Sequence, residues 1–122
     1  DARGEAETLG NLGVLAQNRG GLSGARALSL ESLRLRRALR DRMGIALMLY
    51  NLGEVAELNG DDGLAVGLFV HAERIFREIG SAYAAAPAEA LQKLSARLGE
   101  AYTPLLAAGE SDGWESFAFG AA

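Results

Sequence analysis

Residues 8–41 recur as residues 48–81 at a fixed spacing of 40. Ten of the 34 aligned columns are identical: Leu9/Leu49, Asn11/Asn51, Leu12/Leu52, Gly13/Gly53, Ala16/Ala56, Gly20/Gly60, Ala25/Ala65, Leu28/Leu68, Arg34/Arg74 and Arg37/Arg77. Leu35/Ile75 and Leu39/Ile79 are apolar in both copies. The matches fall on small and apolar positions at helical spacing, which chance similarity does not produce. An internal period of this length restricts the chain to repeat architectures. One unit cannot bury its apolar face alone and must stack on the next.

Each unit reads as two helices. Leu9, Leu12, Gly13 and Ala16 step i, i+3, i+4, i+7 along one helical face, as do Leu49, Leu52, Gly53 and Ala56. A Gly at the centre of that face costs about 1 kcal/mol in helix propensity. Its presence points to a close helix–helix approach that a Cβ would obstruct. The chain then turns at Asn18-Arg19-Gly20-Gly21 and at Asn59-Gly60, with Gly63 assigned to the second turn. Gly20 and Gly60 suit the left-handed residue after a helix end. Ser23, and Asp61 or Asp62, are the candidate caps of the second helices. In the second unit Ala65, Leu68, Phe69, Ala72, Phe76 and Ile79 form one stripe, widened by Ile75 and flanked by Val66 and Val70. That helix is expected to meet neighbours on two sides. Its counterpart uses Ala25, Leu28, Leu35 and Leu39, with Leu30 and Leu33 alongside. The pattern predicts helices at 4–19, 23–40, 42–59 and 62–79.

The repeat breaks after Ser81. Pro87 fits the first turn of a new helix, continued by Leu91, Leu94 and Leu98 and ended at Gly99. A further short helix is predicted from Glu100 to Ala108, with Pro104 near its start. Gly109-Glu110-Ser111-Asp112-Gly113 reads as a loop, and Trp114, Phe117 and Phe119 as an apolar tail. No apolar/polar alternation of the strand type occurs, so the expected fold is all-α. Residues 1–80 form two helical hairpins, about 4–40 and 42–79, and residues 81–122 form a C-terminal capping region.

Composition excludes several function classes. The 122 residues include no Cys, which rules out disulfides, thiolate metal sites and Cys nucleophiles. The single His71 rules out a multi-His metal site. Twelve basic and 16 acidic residues give a net charge of −4, without the basic footprint of a nucleic-acid binder. The balance is uneven: residues 1–60 carry 8 basic and 7 acidic groups, and residues 61–122 carry 4 and 9. No apolar run approaches the roughly 20 residues needed to span a bilayer, and no signal peptide is visible. A cytoplasmic location is expected, with no membrane partner. The chain starts at Asp1 without Met, as expected of a fragment or processed product.

No catalytic constellation stands out. His71 and Glu73 are two residues apart on a helix and do not face each other, so His71 reads as structural or solvated. Asp61-Asp62 lacks the other ligands of a calcium loop. The Gly clusters lack the Lys-Ser/Thr of a phosphate loop. No enzyme activity and no cofactor are expected. Arg34, Arg36, Arg37, Arg40 and Arg42 make the one local basic patch. It reads first as a solvated helix face partnered by Asp41 and Glu31. The recurrence of Arg34 and Arg37 as Arg74 and Arg77 favours a repeated structural role over docking of an acidic partner.

Leu9-x-x-Leu12-Gly13-x-x-Ala16 with Gly20 and Ala25 resembles the tetratricopeptide repeat. So does Leu49-x-x-Leu52-Gly53-x-x-Ala56 with Gly60-Asp61 and Ala65-x-x-x-Phe69-x-x-Ala72. Leu stands where the family has its first Trp, Arg37 and Arg77 stand at the usual Pro position, and the period is 40 rather than 34. Longer repeats of this kind resemble those of kinesin light chain and of large bacterial signalling ATPases and transcriptional regulators. Leu33-Arg34-x-x-Arg37-x-Leu39 followed by Asp41-Arg42-x-Gly44-Ile45-Ala46 is similar to the repeat junctions of those regulators. The tail from Leu98-Gly99-Glu100-Ala101-Tyr102 through Gly109 to Phe117 is similar to their C-terminal cap.

The resemblance implies a short right-handed α-solenoid of antiparallel helix pairs, at the C-terminal end of a longer array. It also implies that the first helices line a concave surface that binds a protein or peptide. By that resemblance Asn11 and Asn51 are candidate clamps for a peptide backbone, since a side-chain amide both donates and accepts. Tyr50, Glu54 and Glu57 share the face of Asn51. Gly10, Val14 and Gln17 share that of Asn11. Alternatively, the two amides bridge adjacent helices internally. Two other functions compete. A homodimer could cover apolar surface left open at the N-terminal end of so short an array. A small-ligand sensor would need Tyr50, His71, Tyr83 and Tyr102 to meet in one pocket.

Overall fold

The computed structural model describes residues 1–120, and among these every regular element is helical. Four helices of 17 residues come first: α1 (Ala2–Asn18), α2 (Leu22–Ala38), α3 (Arg42–Leu58) and α4 (Asp62–Glu78). A 3-10 turn (Ala82–Ala84) leads into α5 (Ala85–Leu98). A second such turn (Gly99–Ala101) leads into α6 (Tyr102–Ser111), and α7 (Trp114–Phe119) follows. Consecutive helices pack in pairs, α1 on α2 and α3 on α4, and α2 also packs on α3. Helix α4 is the hub of the C-terminal half, touching α5, α6 and α7 as well as α3.

The four long helices start 20 residues apart, so the 40-residue period is two nearly equal half-periods. The junctions repeat in atomic detail. Gly21, Asp41, Asp61 and Ser81 each donate a backbone N–H to the carbonyl five residues earlier. The residue before each is left-handed: Gly20, Arg40, Gly60 and Gly80, at φ 80°, 55°, 79° and 72°. This double closure satisfies carbonyls that a helix end leaves open. Caps follow the same spacing. Asp1, Asp41 and Asp61 accept from the backbone N–H of Gly4, Gly44 and Leu64, and Ser81 accepts from Tyr83. Ser23 is therefore not a cap: α2 starts on Gly21, which offers no side chain. Gly63 is not in the turn but in the first turn of α4.

The core runs along α3 and α4. Ala46, Leu49, Ala65, Val66, Phe69 and Ala72 are all fully buried there. The central glycines do bring helices together. A Cβ on Gly53 would lie 2.6 Å from the Phe69 ring, and one on Gly13 would lie 2.8 Å from Ser29 Oγ. Burial is unequal between copies. Leu52 is 4% exposed, whereas its counterpart Leu12 is 45% exposed, because among the described residues no helix packs on the outer side of α1. On α2, Ser29, Leu30, Ser32 and Leu33 are buried, while Leu28, Leu35 and Leu39 are only partly so. Ser32 Oγ donates to the Ala6 carbonyl at 2.7 Å and accepts from Arg36 Nε, which ties α1 to α2.

The region after Ala108 differs from expectation. Gly109, Glu110 and Ser111 are helical rather than loop, so only Asp112 and Gly113 link α6 to α7. Gly109 is buried where α6 crosses α4; a Cβ there would lie 3.3 Å from Gly67 Cα. The aromatic tail is itself a helix, docked on α4 with Ala118 buried. No helix among the described residues is long and apolar enough to cross a membrane.

Candidate functional site

Asn11 and Asn51 line one groove of about 400 Å³ between α1 and α3, together with Arg3, Glu7, Gly10, Val14, Arg36, Leu47 and Met48. The groove narrows where Gly10 meets Met48: a Cβ on Gly10 would lie 3.1 Å from Met48 Cε. Among the described residues neither Asn side chain takes part in a protein hydrogen bond, so the amides do not bridge helices internally. Arg36, at the edge of the groove, is held in place by Asp41 at 3.0 Å, with both side chains mostly buried.

Tyr50, Glu54 and Glu57 line a second groove of about 350 Å³ between α3 and α5, with Phe69, Glu89 and Lys93. Tyr50 leans on Phe69, ring centroids 5.6 Å apart. Half-burial raises the Glu54 carboxyl above its ordinary range, and the charge of Glu57 adds to this. The polar groups of Gln17 and Tyr50 pull it back. Burial also raises the Tyr50 hydroxyl, and the charge of Glu54 acts in the same direction. Gln17 thus belongs beside Glu54 rather than beside Asn11. Glu89 pairs with exposed Lys93 at 3.4 Å, which leaves Glu54 and Glu57 without a cation in this groove among the described residues.

Arg3 and Glu7 extend the Asn11 face two turns and one turn back, at i−8 and i−4. The helical period alone would have placed them there. Glu89 and Lys93 lie outside the repeat, and their position depends on how α5 packs back on α4. That has no local signature.

The four-residue sensor pocket does not form. Tyr50 lines the α3–α5 groove, and Tyr83 is exposed and stacks on Phe76. His71 is buried beneath α7, where its Nε2 donates to the Asp112 carbonyl at 2.7 Å. That hydrogen bond makes His71 a structural residue that anchors the α6–α7 link. The recurring arginines do not share one role either. Arg34 and Arg37 sit over the Phe119 ring, 5.4 and 5.5 Å from its centroid, and Arg37 also faces Trp114. Their counterpart Arg77 pairs with Glu73 instead. Arg42 pairs across to Glu78. Comparison with family models, with curated proteins and with solved structures found no match for this chain.

Proposed function

We propose that the chain is a tetratricopeptide-type scaffold: a short right-handed solenoid that binds an extended protein or peptide segment and has no enzyme activity of its own. Its setting on this reading is a cytoplasmic bacterial regulatory protein. The observation that supports the reading best is the convergence of Asn11 and Asn51, 40 residues apart, on one groove with neither amide engaged. Two amides can hydrogen-bond a peptide backbone without selecting its sequence, while Val14, Leu47 and Met48 offer apolar contact. The adjoining carboxylates of Glu54 and Glu57 favour a basic side chain. Both grooves are walled by packed helices, which lowers the ordering cost of binding.

Selection of a displayed peptide library on the full chain tests this. Asn11→Ala with Asn51→Ala should weaken the selected peptide about tenfold or more, as expected for losing two to four net hydrogen bonds. Unchanged affinity with intact helicity overturns the clamp. Self-association is the competing reading, favoured by the exposure of Leu12 and Leu15, at 45% and 51%. Sedimentation at several concentrations, repeated with Leu12→Gln and Leu15→Gln, separates the two.

A further inference from the structure

We propose that α7 is an exchangeable arm, and that the groove it fills between α2 and α4 also accepts the α7 of a second copy of this chain. The exchange would be reciprocal. It uses none of the residues of the two grooves above.

Four observations converge on α7. Its contacts are made by side chains inserted into a site built by other helices. Phe117 occupies the space that a Cβ on Gly67 would need, and its ring lies 5.9 Å from that of His71. Trp114 and Phe119 stack on each other under Arg34 and Arg37. Second, α7 has six residues, too few to hold a helix in water. It is therefore either docked or unfolded, and the groove is either filled or an open apolar face. Third, the link is minimal. Asp112 (φ −94°, ψ 153°) and Gly113 (φ −75°, ψ 158°) are both extended, so breaking the His71–Asp112 hydrogen bond and rotating at two residues frees the arm without unravelling α6. Short hinges of this kind are where identical elements are exchanged between copies. Fourth, the charges match between copies. The α2 end carries Arg34, Arg37 and Arg40, and the α6–α7 stretch carries Glu110, Asp112 and Glu115. Within one chain Glu115 of the arm lies beside Arg42 and Arg74, and an exchanged arm would meet the same arginines on the second copy.

A second copy makes the same contacts as the chain's own arm. The balance is then set by concentration. A short tether holds the arm at an effective concentration on the order of millimolar. The chain is therefore expected to be closed on itself when dilute and to exchange when crowded.

The absence of Cys allows a direct test on the full chain. Arg34→Cys copies are mixed with Phe119→Cys copies at about millimolar concentration and oxidised. Exchange brings the two positions together between chains, so a disulfide-linked heterodimer should accumulate well above that of a Lys93→Cys and Phe119→Cys mixture. Equal yields from both mixtures overturn the proposal. Deleting Asp112 and Gly113 shortens the tether and should raise the dimer fraction at micromolar concentration at least tenfold. Adding Phe117→Ala to that deletion should return it to monomer. A deletion chain that keeps its helicity and stays monomeric counts against exchange.

Discussion

The Phe117 ring of α7 lies against the bare backbone of Gly67 on α4, in space that any larger residue at 67 would fill. The same glycine is where α6 packs against α4 through Gly109. One residue without a side chain thus seats two elements that the repeat does not contain.

Gly67→Ala should therefore release α7 while leaving the hairpins folded. The added methyl gains about 1 kcal/mol of helix propensity within α4, and overpacking costs about 1–3 kcal/mol where neighbours cannot yield. The short terminal helix can yield, so it is expected to detach. Trp114 is the only tryptophan, and its emission should shift to the red with little change in the main thermal transition. An unshifted emission would mean that Phe117 adapts in place.

Gly53→Ala should behave differently, since Phe69 is fully buried in the main core and has nowhere to go. A net loss of up to about 2 kcal/mol is expected after the propensity gain. At the equivalent Gly13 the obstacle is the Ser29 hydroxyl, which is smaller than a ring. Gly13→Ala should cost less than Gly53→Ala in urea unfolding, and the reverse order would show that α1 is held more rigidly than α3.

Asp41 and Asp61 cap successive helices, α3 and α4, but should not be equally important. Asp61→Ala removes an exposed cap, a loss of about 1 kcal/mol. Asp41→Ala also strands the mostly buried Arg36 guanidinium, and breaking such a pair costs about 3 kcal/mol. A Gly44 backbone N–H loses its partner as well. Paired denaturation curves of the two variants check the difference, and equal losses would mean that Arg36 finds water when Asp41 is gone.

Glu54 should make stability fall with rising pH. Its carboxyl is raised by burial in the folded chain, so the folded state holds the proton longer than the unfolded state does. Stability then declines as pH rises from the ordinary glutamate range through the raised folded value, and levels off above it. Glu54→Gln should raise the melting temperature at neutral pH, with the gain vanishing in acid. A gain that persists below the ordinary glutamate range would point to packing rather than charge.

Much of the first 80 residues could be read from the chain. The predicted helix at 42–59 is Arg42–Leu58, and that at 62–79 is Asp62–Glu78. The half-period of 20 was also available, in Asp1, Asp41 and Asp61, but Arg40 hides it by taking a left-handed position that Gly holds at 20, 60 and 80. The grouping of Asn11 with Asn51 followed from the repeat. The loop assigned to Gly109–Gly113 failed because a glycine marks either a turn or a close approach. Only the partner helix, here α4 at Gly67, tells which.

The sequence by itself determined what local chemistry controls: helical period, caps, turns and the spacing of equivalent residues. Each depends on groups within a few positions of one another. The tertiary structure decided which equivalent residues share a fate. Leu52 is buried and Leu12 exposed, and Arg37 meets aromatic rings where Arg77 meets Glu73. Those outcomes depend on the neighbour that packs alongside: α7 for Arg37 and, among the described residues, no outer helix for Leu12. A repeat holds its own pattern but not its position in the stack.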